Sequence, residues 1–78
     1  MITAEVSVYP LKTSDASDVI TNSINSLNNE GIEYSVGSIS TRLRGNEEQV
    51  WNSLKDMFQN AQNSGEISMV ITVTNAAG

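Results

Sequence analysis

Cysteine and histidine are both absent from this chain of 78 residues. Without them the chain can form neither a disulfide nor a metal site of the sulfur and imidazole type, so we expect no bound metal. Basic residues are also scarce, with 4 Lys and Arg against 9 Asp and Glu and a net charge of -5. A chain with this balance repels a phosphate backbone, which disfavours general nucleic-acid binding.

Long apolar runs are missing as well. Residues 1–8 alternate apolar and polar side chains with Glu5 among them, unlike a signal peptide. No other apolar stretch has the length of a membrane span, so we expect no membrane association and a cytoplasmic location. The length fits a single domain over residues 1–78, whose small core favours stabilisation by self-association. We therefore expect a homo-oligomer.

The pattern of apolar residues predicts four strands and two helices. Period-two alternation marks strands over 2–9, 32–36, 39–45 and 67–74, and helical stripes mark 16–27 and 50–61, the second including Phe58. Ser14 or Asp15 is the predicted cap of the first helix, and Asn46 with Gln49 forms a predicted capping box for the second. A tail of small residues over 75–78 follows the last strand.

This order predicts a fold of the α+β class. Right-handed crossovers place both helices on one face of a four-stranded antiparallel sheet, which is the ferredoxin-like βαββαβ sandwich. The alternate residues of each strand, whose side chains point away from the helices, then form an open sheet face. We expect that face to carry hydroxyls, Glu5 and two arginines, from Thr3, Glu5, Ser7, Tyr9, Glu33, Ser35, Ser38, Ser40, Arg42, Arg44, Ser68, Val70, Thr72 and Thr74.

The open face has two interpretations. It is either an ordinary solvated surface with ion pairs of about 0–1 kcal/mol each, or a polar pocket for a small ligand, completed by a second subunit laid against the sheet. Trp51 flanks the apolar stripe of the second helix, so we expect it at a core edge or a subunit contact. A structural or regulatory oligomerisation module without a ligand is the alternative function.

Catalytic motifs are not apparent in the sequence. There is no G-x-S-x-G and no Gly-rich phosphate loop, and the carboxylates are scattered along the chain. We expect a protein without catalytic activity; an enzyme using Glu5 with Arg42 or Arg44 is a further hypothesis. Metal chaperones of this topology need a C-x-x-C, and RNA-recognition domains need aromatic residues on the central strands, so neither class fits.

Two segments carry a resemblance to a known family. Residues 1–11, MITAEVSVYPL, resemble a first strand that ends in an apolar-Pro-apolar step. Residues 31–45, GIEYSVGSISTRLRG, resemble a stretch that opens with Gly-apolar-x-Tyr and closes with Thr-x-apolar-Glu-Gly. The chain in this respect resembles the thiamine-binding YkoF-like proteins. The resemblance implies a homodimer or homotetramer that binds thiamine or its hydroxymethylpyrimidine part without catalysis and without a cofactor.

The resemblance also implies a set of ligand-binding residues. Thr41 matches the family threonine, and Ser38 and Ser40 lie in the stretch before it. Simple alternation places Thr41 on the apolar side of its strand, so it is structural unless a bulge turns it outward. Arg44 replaces the usual glutamate and opposes a cation such as the thiazolium ring, whereas Glu5 attracts one. The predicted ligand-binding residues are therefore Glu5, Ser38, Ser40, Thr41 and Arg44.

Overall fold

The structure has the predicted order of strands and helices. It is a computed structural model that describes residues 1–76; residues 77 and 78 of the predicted tail lie outside the described residues. The elements are β1 (Ile2–Pro10), α1 (Ala16–Asn25), a 3-10 turn (Ser26–Asn29), β2 (Glu33–Val36), β3 (Thr41–Gly45), α2 (Glu47–Gln62) and β4 (Ile67–Thr74). The strands form one antiparallel sheet in the order β2-β3-β1-β4. The ferredoxin-like α+β fold is thereby confirmed.

The core lies between the sheet and the helices, on the side that the apolar strand parity predicts. Its buried members come from both layers: Ala4, Val6, Leu27, Ile32, Leu43, Val50, Leu54 and Met57. Burying one large aliphatic side chain of this kind stabilises the fold by about 1.5–3 kcal/mol. Because every second strand residue faces this core, the intervening residues form the uncovered face of the sheet.

The start of α2 is defined by its cap. The Asn46 side chain accepts a hydrogen bond from the Gln49 N–H at 2.8 Å, and Gln49 Oε1 accepts one from the Asn46 N–H at 3.2 Å. The predicted capping box is confirmed. At α1 the N-cap residue is Asp15, but its side chain makes no capping hydrogen bond; its N–H instead donates to Thr13 Oγ1 at 3.1 Å.

Three sequence-based predictions need correction. The third strand begins at Thr41 instead of residue 39, because the Gly37 N–H donates to the Ser40 carbonyl at 2.8 Å and closes a tight loop before the strand. The first helix ends at Asn25, and the chain continues as a 3-10 turn. Phe58, predicted on the core stripe, is 41% exposed because it lies at the margin of the face that α2 turns toward the core. None of these changes alters the topology.

No helix within residues 1–76 is long and apolar enough to cross a bilayer.

Candidate functional site

The strand register assembles two polar rows on the open face. One row is Glu33, Arg44, Thr3 and Thr74 across β2, β3, β1 and β4; the next row is Ser35, Arg42, Glu5 and Thr72. We call these eight residues the two-row patch. It brings Glu5 and Arg44, two of the five predicted ligand-binding residues, onto one surface. Two of the four basic residues of the whole chain therefore stand on this patch.

The charges of the patch are partly paired. Arg42 Nη2 lies 3.5 Å from Glu5 Oε1, and the two side chains are 62% and 50% exposed. At such exposure the pair stabilises the fold by no more than about 1 kcal/mol. Arg44 stands directly across from Glu33 in the register, yet within the described part of the chain it forms no ion pair. Its guanidinium is therefore available to a ligand.

The patch is concave. A depression of about 350 Å³ is lined by Met1, Thr3, Glu33, Tyr34, Ser35, Arg42, Arg44, Asn75 and Ala76. A second one of about 140 Å³ is lined by Thr3, Glu5, Arg42, Thr72, Thr74 and Ala76. The two depressions share Thr3, Arg42 and Ala76 and so form one continuous hollow. Its size reaches the lower end of the range of small-molecule sites.

The other three predicted residues lie elsewhere. Ser38 is exposed and Ser40 half-buried in the loop between β2 and β3. Thr41 is 4% exposed and faces the helices, paired in the sheet with Val6 and Val36, so no bulge turns it outward. These three residues border a separate cleft of about 120 Å³ beside α1. Within one chain the structure does not bring them to the hollow that holds Glu5 and Arg44.

The loop that carries Ser38 and Ser40 is held by hydrogen bonds. Ser7 Oγ of β1 donates to the Ile39 carbonyl at 3.0 Å, and the loop closes on itself through Gly37. A Cβ added at Gly37 would stand 3.0 Å from the Ser40 carbonyl oxygen, so this backbone atom would have to shift by a few tenths of an ångström. Glycine fits this position without such a shift.

Sequence reasoning missed four residues that line the hollow: Met1, Tyr34, Asn75 and Ala76. Asn75 belongs to the segment predicted only as a tail, and no local pattern distinguishes it. It reaches the hollow because β4 pairs with β1 as far as Thr74, opposite Thr3. The position of this side chain thus depends on the register of two strands that are distant in sequence.

A perturbed carboxyl lies on the helix side of the sheet. A hydrogen bond to the Asp56 side chain, together with burial and the negative charge of Asp56, raises the pKa of Glu30 above its usual value. Within residues 1–76 no group of three or more side chains has the arrangement of a metal site. The two-row patch, by contrast, brings together four charged side chains and four hydroxyls.

The fold and the patch define a small ferredoxin-like protein with a polar hollow on its open sheet face. The model of the YkoF-related family matches residues 1–78, so the chain belongs to the YkoF-related family. No curated protein matches the chain.

Solved structures show the same fold. A domain of unknown function from Bacillus cereus is 26% identical with a TM-score of 0.85, over 96% of this chain and 75% of its own. A protein from Streptococcus pneumoniae is 19% identical with a TM-score of 0.91, over 97% of this chain and 87% of its own. A Thermotoga maritima protein, named as a candidate for thiamine biosynthesis or salvage, is 19% identical with a TM-score of 0.83, over 96% and 83%.

Proposed function

We propose that this protein binds thiamine, or its hydroxymethylpyrimidine part, in the hollow of the two-row patch without catalysing a reaction. The observation that carries the proposal is the Glu5 carboxylate, half exposed at the centre of a concave, hydroxyl-rich sheet face. Membership of the YkoF-related family and the name of the Thermotoga maritima neighbour support thiamine as the ligand.

The chemistry of the hollow fits a cationic heterocycle. The thiazolium ring of thiamine carries a permanent positive charge, and Glu5 offers a carboxylate whose Arg42 partner is 3.5 Å away and largely solvated. An ion pair at 4 Å contributes about 1 kcal/mol in water and about 4 kcal/mol near a protein surface. Thr72 and Thr74 add hydroxyls that both donate and accept hydrogen bonds, as an aminopyrimidine requires.

Titration calorimetry with thiamine tests the proposal. Glu5→Gln removes the carboxylate charge and keeps the shape, and we expect it to weaken binding by about tenfold, the equivalent of 1.4 kcal/mol. Glu66→Gln is the matched control, because Glu66 is also exposed and also paired with a cation, Lys12, at 3.1 Å, but lies outside the hollow. Absence of thiamine binding, or equal loss in both variants, contradicts the proposal.

A second function, self-association, is favoured by the free edge of the sheet. β4 is an edge strand, and charged residues and proline usually protect such strands from pairing with another chain. None of the eight residues of β4 is charged or a proline. Beside it runs an apolar groove lined by Trp51, Leu54, Lys55, Phe58, Gln59, Gln62, Met69 and Ile71. The other edge, β2, has only four residues and includes Glu33.

We propose that a second copy of the chain occupies this edge. Antiparallel pairing of two β4 strands about a two-fold axis sets the two α2 helices side by side, so that Trp51, 49% exposed, and Phe58 are covered. Such a homodimer leaves the two-row patch open; packing on that face would produce a tetramer.

In light scattering Trp51→Glu should give the 8.4 kDa monomer. Val36→Glu, an exposed apolar residue on the opposite edge, is the control and should keep the dimer mass; a monomeric wild-type protein contradicts the proposal.

A further inference from the structure

Arg44 gives the hollow an unpaired positive charge that a plain thiamine site does not require. It lines the larger depression, with Thr3 on one side and Glu33 on the other in the strand register. Within residues 1–76 it makes no ion pair, although the chain as a whole is acidic and Glu33 is its direct neighbour. An arginine left unpaired in a hollow of an acidic protein points to an anionic group on the ligand.

Arginine is suited to one anion in particular. Its planar guanidinium presents two parallel N–H donors that match two oxygens of a phosphate, whereas a lysine acts as a point charge. Other donors in the same depression can share the remaining oxygens, namely the Ser35 hydroxyl and the Asn75 amide. Arg42 lies two residues before Arg44 on the same strand, directly across from Glu5, and is itself paired with Glu5.

We infer that the ligand of the hollow carries both a cationic ring and a phosphate ester, so that the phosphorylated form of a thiamine-like compound is preferred over the free alcohol. This inference rests on the proposed function. Glu5 attracts the ring, and Arg44 binds the phosphate. The two residues are diagonal neighbours across β1 and β3, a spacing of about 7–8 Å between their backbones. A two-carbon linker between ring and phosphate fits this separation, since both side chains are long and exposed.

The test compares thiamine, thiamine monophosphate and inorganic phosphate by calorimetry on the wild-type protein and on Arg44→Gln. We expect the wild-type protein to bind the monophosphate about tenfold more tightly than thiamine, and inorganic phosphate far more weakly than either. Arg44→Gln should remove the preference for the monophosphate over thiamine. Arg44→Glu should bind thiamine more tightly than the wild type and exclude the monophosphate. Lys55→Gln removes the same charge from α2 and should keep the wild-type preference.

The outcomes separate the inference from the function on which it rests. If thiamine and its monophosphate bind the wild-type protein equally, or if the preference survives in Arg44→Gln, the inference is wrong while the proposed function stands. If inorganic phosphate binds as tightly as the ester, the ring contributes nothing and the inference is again wrong. If neither thiamine nor its monophosphate binds, the proposed function fails and the inference with it.

Discussion

Two buried serines in the helix layer allow a matched test of how the fold is held together. Ser23 of α1 and Ser53 of α2 are both 0% exposed. Ser23 Oγ donates a hydrogen bond to the Met57 carbonyl of α2 at 3.0 Å and so joins the two helices. Ser53 Oγ has no hydrogen-bond partner among the described residues. The same substitution at the two positions should therefore have opposite effects.

The magnitudes follow from hydrogen bonding and helix propensity. Ser23→Ala loses a hydrogen bond that contributes about 0.5–1.5 kcal/mol, whereas Ser53→Ala removes a hydroxyl whose unpaired burial costs about 1–3 kcal/mol. Both changes gain the better helix propensity of alanine, about 0.5 kcal/mol, which cancels in the comparison. We therefore expect the free energy of unfolding of Ser53→Ala to exceed that of Ser23→Ala by about 3 kcal/mol.

Urea and thermal unfolding at one fixed protein concentration measure this difference, since self-association makes the midpoint depend on concentration. For a domain of this size 1 kcal/mol corresponds to about 4–8 °C in Tm. Ser53→Ala should melt above the wild-type protein and Ser23→Ala below it. Equal shifts in the two variants, or a lower Tm for Ser53→Ala, would refute the reasoning about the two hydroxyls.

Two further predictions concern the helix side and the β2–β3 loop. Because the pKa of Glu30 is raised in the folded protein, its protonated form stabilises the fold at low pH, and this contribution is lost as pH rises through the folded pKa. Glu30→Gln should therefore raise Tm relative to the wild type at pH 7 but not at pH 3. An equal change in Tm at the two pH values would show that repulsion between the charges of Glu30 and Asp56 is not the cause of the stabilisation. Gly37→Ala places a Cβ close to the Ser40 carbonyl oxygen and should destabilise the fold by about 1 kcal/mol without changing thiamine affinity. Ser38→Ala is the control in the same loop and should change neither the stability nor the thiamine affinity.

The topology was predictable because local signals agreed with the tertiary packing. Ala4 and Val6 mark the buried parity of β1, and the Asn46 and Gln49 pair marks the start of α2; each signal acts within a few residues. The start of β3 was not predictable in this way. The alternation that begins at Ile39 continues the strand pattern, yet Ile39 is 85% exposed because the loop hydrogen bonds take precedence over the ladder.

The candidate site was predictable only where parity and strand order act together. Glu5 and Arg44 share the open face because both have the polar parity and because β1 and β3 are central neighbours. Thr41 was proposed from the family resemblance, and alternation already placed it on the apolar side, where the structure has it buried. The contribution of Asn75 depends on the β1–β4 register, and no pattern within the tail indicates it.

The location of the ligand is the central claim, and NMR titration of the labelled protein with thiamine tests it most directly. We predict that the amide signals that shift most on adding thiamine belong to β1 and β3 around Thr3, Glu5 and Arg42, the residues that line the smaller depression of the hollow. Signals of the 37–40 loop and of α1 should stay in place. Shifts concentrated on that loop and α1, with the two-row patch unchanged, would contradict the account and place the site in the cleft beside α1.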